Sequence, residues 1–345
     1  MTAATVATAP ANTAGNKTAA ECGDGPQAGR RDLGRYRIAV LIPCYNEEIA
    51  VAQVVRDFQV ALPAATVFVF DNNSTDDTVA VARAAGAEVF SEQRQGKGFV
   101  VRRMFSDIEA DIYVLVDGDA TYDAPSAPKM IERLLDDRLD MVVGTRVDRE
   151  VAAYRAGHRT GNWLLTSFVA SVFGPTFNDM LSGYRVFSRR FVKSFPLLSG
   201  GFEIETELTV HALELGLAVA EIETPYFARP DGSVSKLNTW RDGFRILWMI
   251  LQLYRSERPL PFFGAIGYAL AIVSVALAVP VVATFWETGL VPRLPTAVLA
   301  MGMMLLAFLS FAVGLVLDTV TRGRREMKLL AFLGHRAVGT ERREN

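Results

Sequence analysis

The sequence predicts an α/β fold, a Rossmann-like and mostly parallel sheet, joined to an interfacial amphipathic helix and two C-terminal transmembrane helices. Three observations lead there. From Tyr36 to about Glu223 short β-rich runs alternate with helical ones, carboxylates gather where the runs end, and two long uncharged stretches follow near the C-terminus. The chain of 345 residues, 50% of them hydrophobic, is long enough for one α/β domain plus an apolar appendage.

The strands expected are Arg37–Pro43, Thr66–Asp71, Ala87–Phe90, Ile112–Asp117, Met141–Gly144 and Val219–Glu223. Helices are expected to start near Glu47, Asp76, Gly98, Ala127, His158 and Glu205, with Asn46 and Ser74–Thr75 as N-cap chemistry for the first two. No internal repeat is visible, and no G-x-G-x-x-G opens a helix, which argues against a dinucleotide-binding enzyme.

The first 35 residues are rich in Ala, Thr and Gly without periodicity and lack the apolar run of a secretory signal, so residues 1–35 read as a disordered tail. A formal charge of −2 gives no sign of nucleic-acid binding. Two cysteines, Cys22 and Cys44, make no disulfide framework and match no zinc spacing, as suits a reducing compartment.

Phe262 to Phe285 and Pro295 to Leu317 are each long enough, at about 1.5 Å per residue, to cross a hydrocarbon core of about 30 Å. Arg241, Arg245, Arg255 and Arg258 precede the first span, and Arg322, Arg324, Arg325 and Lys328 follow the second. The connecting loop holds only Arg293, so the positive-inside rule makes both termini and the catalytic domain cytoplasmic. Between domain and spans, Leu237 to Tyr254 interleaves Trp240, Phe244, Trp248 and Tyr254 with Arg241 and Arg245, a pattern expected of a helix lying in the interface. The expected division is a catalytic domain over 36–236, the interfacial helix over 237–261, the spans over 262–318 and a basic tail over 319–345.

In open α/β sheets ligands sit beyond the carboxyl ends of the strands. Three such ends carry acids: Asn46-Glu47-Glu48 after the first strand, Asp71-Asn72-Asn73-Ser74 after the second, and Asp117-Gly118-Asp119 after the fourth. Two carboxylates flanking one Gly repel each other unless a cation lies between or beside them. Mg²⁺ or Mn²⁺, which takes one or two carboxylates plus substrate phosphates, fits that need and points to a nucleotide diphosphate. Taken alone, Asp-Gly-Asp also fits a plain turn. Lys97, flanked by Gly96 and Gly98, is a cation at a helix start where a nucleotide could approach.

The motifs in order, Ile42-Pro43-x-Tyr45-Asn46-Glu47, Asp71-Asn72-Asn73-Ser74-x-Asp76-x-Thr78, Asp117-x-Asp119 and Gly144-Thr145-Arg146, resemble the family 2 glycosyltransferases of the GT-A fold. The likeness is to the branch of dolichol-phosphate mannose synthases and bacterial polyprenyl-phosphate glycosyltransferases. That resemblance implies that Asp71 holds the nucleotide base, Asp117 the ribose or metal side, and Asp119 the metal, with Pro43, Tyr45 and Glu47 lining the donor pocket. It implies that Arg146 and Arg159 bind the acceptor phosphate, a task suited to the guanidinium fork. Asn178-Asp179-x-x-Ser182-Gly183-Tyr184-Arg185 resembles a family segment whose acid acts on the acceptor. A phosphate needs no base, so Asp179 and Glu203 would position arginines or shape the sugar pocket, while Glu205 and Glu207 are equally compatible with a helix surface. Arg229-Pro230-Asp231-Gly232-Ser233-Val234-Ser235-Lys236 resembles the loop that closes over the donor diphosphate, with Arg229, Ser235 and Lys236 as its contacts. The chain departs from the mannose-synthase pattern at Thr121, where a Gln is usual.

The expected activity is metal-dependent, inverting transfer of a hexose from UDP- or GDP-hexose to a polyprenyl phosphate, by a membrane protein that leaves room for a homo-oligomer. An elongating polysaccharide synthase would carry a Gln-x-x-Arg-Trp segment that is absent here. An idle scaffold would have no need of an intact Asp117/Asp119 pair.

Overall fold

The computed structural model describes residues 32–148, 179–197, 204–230, 248 and 251–339. Its centre is a seven-stranded sheet in the order β3-β2-β1-β4-β6-β5-β7. The strands are β1 (Ile38–Cys44), β2 (Thr66–Asp71), β3 (Glu88–Ser91), β4 (Ile112–Leu115), β5 (Met141–Asp148), β6 (Arg185–Ser188) and β7 (Val219–Tyr226). The helices are α1 (Val51–Ala61), α2 (Thr78–Ala84), α3 (Lys97–Asp107), α4 (Ala127–Asp136), α5 (Arg189–Ser194), α6 (Ile204–Glu214), α7 (Pro259–Thr288) and α8 (Leu294–Leu333). All six expected strands are present.

β1 and β4 are near-continuous apolar runs because both of their faces are covered. Ala39, Leu41, Tyr113 and Leu115 pack with Met104 and Phe105 of α3, whereas Val40, Ile42 and Val114 pack with Phe58 of α1 and Ile131 of α4. Each such aliphatic side chain contributes about 1.5–3 kcal/mol by leaving water, so the middle of the sheet is the stable platform on which the loops stand.

The seventh strand, β6, was not expected. Its four residues Arg-Val-Phe-Ser follow directly on the Ser-Gly-Tyr segment with no breaker before them, so neither length nor punctuation marks a strand. It runs antiparallel to both neighbours, with Arg185 opposite Leu115 of β4 and Val143 of β5. This reversal matters for the site. The chain enters β6 at the end where β4 and β5 finish, so Asp179–Tyr184 lies at the same sheet edge as Asp117 and Arg146.

Helix starts also differ from expectation. Asn46 does not cap α1, whose N-cap is Ala50 without a side-chain bond. Instead Asn46, at φ 54°, accepts the Thr75 amide at 2.7 Å through Oδ1 and donates its own amide to Ser74 Oγ at 2.9 Å, lacing the β1 loop to the β2 loop. Ser74 and Thr75 are consumed in that lacing, and the Thr78 amide at the start of α2 is met by Asp76 Oδ1 at 3.1 Å. The helix expected at His158 lies outside the described residues.

The fold begins with a 3-10 turn over Leu33–Arg35, slightly before the expected boundary at Tyr36, and residues 1–31 lie outside the description. Of the expected interfacial helix only Trp248 and the helical residues from Leu251 are described, and both of those side chains are exposed. α7 and α8 are long and apolar enough to cross a membrane. α8 is longer than the expected span. No proline stands between Leu317 and Gly334 and the single Gly323 is carried within the helix, so the basic segment read as a tail continues the helix to Leu333. That extension packs on the catalytic domain, with Lys328 Nζ 2.6 Å from Glu214 Oε2 and Arg190 4.6 Å over the Phe332 ring, while Arg324 lies 2.6 Å from Glu257 in the helical residues just before α7.

Candidate active site

The carboxyl edge of the sheet gathers most of the expected residues. Pro43 and Cys44 end β1, pairing with Phe70 and Asp71 of β2. Asp71 is buried and accepts the Ser74 amide at 3.2 Å, closing the turn that carries Asn72 and Asn73. Tyr45 is exposed above it, and the Glu47 amide donates to Thr78 Oγ1 at 2.8 Å. These residues form one lip of the site.

Asp117 and Asp119 follow β4, and each faces its own cation. Lys97 Nζ, at the first turn of α3, lies 2.5 Å from Asp117 Oδ1 and 2.5 Å from Glu205 Oε1 of α6. Burial works against the lysine's charge, but the two carboxylates outweigh it and raise its pKa. Lys97 is therefore a clamped counter-ion and not a solvated helix-start lysine. Glu205 is buried as its partner, which corrects the helix-surface alternative for that residue.

Asp119 is 5% exposed. Its Oδ1 accepts Thr121 Oγ1–H at 2.6 Å, and its Oδ2 faces Arg229 Nη2 at 2.7 Å. Burial and the nearby Asp117 charge raise its pKa, against the pull of Arg229 and Thr121. Two glycines make this crowding feasible. A Cβ on Gly183 would stand 2.5 Å from Asp117 Oδ2, and one on Gly118 would stand 2.6 Å from Cys44 Sγ.

At the end of β5, Arg146 grips Asp179 with two bonds, Nε to Oδ2 at 2.7 Å and Nη2 to Oδ1 at 2.8 Å, and its guanidinium lies 5.6 Å from the Tyr226 ring centroid. Beneath them Arg185 is fully buried. It donates to the carbonyls of Ser182 and Met180 at 2.9 and 2.6 Å and to Thr209 Oγ1 at 2.8 Å, and burial pushes its pKa down to about 10. Arg185 thus pins the loop that brings Gly183 against Asp117. Arg159, Glu203, Ser235 and Lys236 lie outside the described residues.

Sequence reasoning gave no role to Gly183, Arg185 or Tyr226 and did not pair Glu205 with Lys97. The Ser-Gly-Tyr-Arg spelling flagged the segment, but a lysine meeting an acid of a later helix leaves no local pattern.

Two adjacent carboxylates, each offset by a cation, suit a divalent ion that brings phosphates with it. No cluster of three or more metal-ligating side chains occurs among the described residues, so phosphate oxygens would have to complete the coordination. The fold and this edge define a transferase of the GT-A class. A family model for glycosyl transferase family 2 matches residues 39–195. Glycosyltransferase AglJ of Haloferax volcanii is 34% identical over 84% of this chain and 95% of its own. A dolichyl-phosphate hexose transferase of the same organism is 27% identical over 64% of this chain and 95% of its own. Among solved structures, the glucosyl-3-phosphoglycerate synthase of Mycobacterium tuberculosis in complex with Mn²⁺, uridine diphosphate and phosphoglyceric acid superposes with TM-score 0.52 and 25% identity over 62% of this chain and 78% of that one. The chain belongs to glycosyl transferase family 2 and is a glycosyltransferase.

Proposed function

We propose that the protein transfers a hexose, with inversion, from a nucleotide diphosphate sugar to a polyprenyl phosphate at the cytoplasmic face of a membrane. The observation that carries this reading is the separation of two charged stations at one sheet edge: Asp117 and Asp119 with their cations after β4, and the Arg146–Asp179 pair after β5. The first suits a donor diphosphate and the second an acceptor anion. The names of the relatives, a dolichyl-phosphate hexose transferase and a synthase solved with Mn²⁺ and uridine diphosphate, support the same assignment.

Asp71 and the β1 lip, with Pro43, Tyr45 and Glu47, hold the nucleoside, while Asp117 and Asp119 hold Mg²⁺ or Mn²⁺. When bound, the ion neutralises charge on the departing nucleoside diphosphate. Arg229, with Ser235 and Lys236 further along its loop, closes on the diphosphate from the other side. Arg146, and with it Arg159, orients the acceptor phosphate so that one oxygen lies in line with the anomeric carbon. That oxygen forms the new bond as the bond to the diphosphate breaks. No general base is required, because a phosphate monoester with a second pKa near 6 is already largely dianionic at neutral pH.

The contact between Lys328 and Glu214 keeps the end of α8 with the catalytic domain, so both occupy one side of the membrane. The arginine bias of the flanks makes that side cytoplasmic. The test is a screen of labelled UDP- and GDP-hexoses against membranes that contain the protein and polyprenyl phosphate. Label should move into the lipid extract for one donor class and require a divalent ion. Label that stays water-soluble with every donor would refute the acceptor assignment.

A further inference from the structure

The two oxygens of Asp119 have different partners. Oδ1 takes the Thr121 hydroxyl at 2.6 Å and the Thr121 amide at 3.3 Å. Making that turn sets Ala120 at φ 57°, a left-handed conformation that L side chains seldom adopt. The Thr121 hydroxyl has one proton, and it is committed to Asp119. Thr121 is itself held, being 1% exposed, with its carbonyl accepting the Phe227 amide at 2.9 Å.

Oδ2 is the oxygen that faces Arg229. Two cations sit at the acidic pair, and they differ in how easily they leave. The Lys97 side chain is 12% exposed and clamped by two carboxylates, whereas that of Arg229 is 31% exposed and its ion pair among the described residues is with Asp119 alone. Moving Arg229 breaks one bond and rehydrates a group already partly in water. Moving Lys97 would strand Glu205 and Asp117 together.

We propose that Asp119 serves the divalent ion through Oδ2 only, that Thr121 is the positioning residue that reserves Oδ1, and that Arg229 is the counter-ion the metal displaces. The displaced guanidinium is then free to meet the donor diphosphate, so metal and nucleotide bind cooperatively. This rests on the metal-and-nucleotide reading above. In this reading Thr121 orients the ligand and does not join it.

The test measures free Mn²⁺ by electron paramagnetic resonance during titration of the full-length protein in detergent, first alone and then with UDP or GDP. Arg229→Gln should tighten binding of Mn²⁺ alone by about ten-fold, the worth of one charge-assisted bond, and shrink the enhancement that the nucleotide produces. Thr121→Val should weaken Mn²⁺ about five-fold or more, and Thr121→Ser should restore it, which a purely structural role for the methyl group would not allow. Should Thr121→Val not fold, Arg229→Gln and Thr121→Ser still decide the matter. Unchanged or weaker Mn²⁺ binding in Arg229→Gln overturns the displacement. A wild-type protein that takes up no Mn²⁺ with either nucleotide overturns the metal reading itself.

Discussion

Arg146 and Asp179 form a two-point ion pair that ties the end of β5 to the loop entering β6. Burial alone would raise the Asp179 pKa, yet the guanidinium beside it holds the carboxyl below its ordinary range. The pair fixes the arginine fork in one orientation, as the proposed grip on an acceptor phosphate requires.

Arg146→Ala should therefore impair use of the lipid phosphate far more than binding of the nucleotide sugar. Loss of one charge-assisted contact costs about 1.5–3 kcal/mol, roughly ten-fold to over a hundred-fold in acceptor kcat/KM. Asp179→Ala should act in the same direction by releasing the fork, and Arg159→Ala by removing a second contact. Nucleotide titration without lipid, followed by kinetics at varied lipid phosphate, checks this. Lost nucleotide affinity with an unchanged acceptor KM would mean that the two substrates have been exchanged.

Gly183→Ala should cripple transfer while leaving the protein folded. Its Cβ would meet Asp117 Oδ2 at 2.5 Å, and the carboxylate would have to leave its position beside Lys97. A drop of about ten-fold or more in kcat/KM is expected, since a misplacement of about 1 Å at a reacting centre can cost about a hundred-fold. Activity equal to wild type would show that Asp117 has freedom the packing denies it.

Lys328→Met should destabilise the protein although the residue lies beyond the membrane-spanning stretch. Glu214 is 0% exposed and shared between Lys328 and Arg325. Losing one of two cations should cost about 1–3 kcal/mol, less than the 3–5 kcal/mol of an unshared buried pair. Thermal unfolding in detergent would register it. An unchanged Tm would show that this contact adds nothing to the stability of the fold.

His211 gives the fold a dependence on acid. It packs against Phe191 and Phe195 with neither ring nitrogen hydrogen-bonded, and burial, helped by the Lys328 charge, pushes its pKa down to about 3. A folded-state pKa below the ordinary 6.5 means that protons favour the unfolded chain. Stability from this residue is full above about pH 6.5 and declines toward pH 3, by at most ~1.4 kcal/mol per pH unit. His211→Leu should flatten that decline, and a slope that persists unaltered would assign it to other groups.

Much of this architecture was legible because the physics that sets it is local. The apolar runs of β1, β2, β4 and β5 and the hydropathy of α7 and α8 reveal themselves in their own residues, and the acids at strand ends follow from where α/β sheets bind ligands. β6 escaped because four residues carry too little periodicity, and its strand character comes from β4 and β5 on either side. The pairing of Lys97 with Glu205 escaped for a related reason: the two are separated by 108 positions, and only the closed sheet makes them neighbours. The end of α8 was misjudged because charge stops a membrane span but does not stop a helix.

The central claim is that the acceptor is a lipid phosphate acting without a base. Purified protein should be given the same labelled nucleotide hexose and Mn²⁺ with either polyprenyl phosphate or the matching polyprenol, and the extracted lipid counted. Product with the phosphate and none with the alcohol is the predicted result. Equal product from both, or from the alcohol alone, would contradict the account.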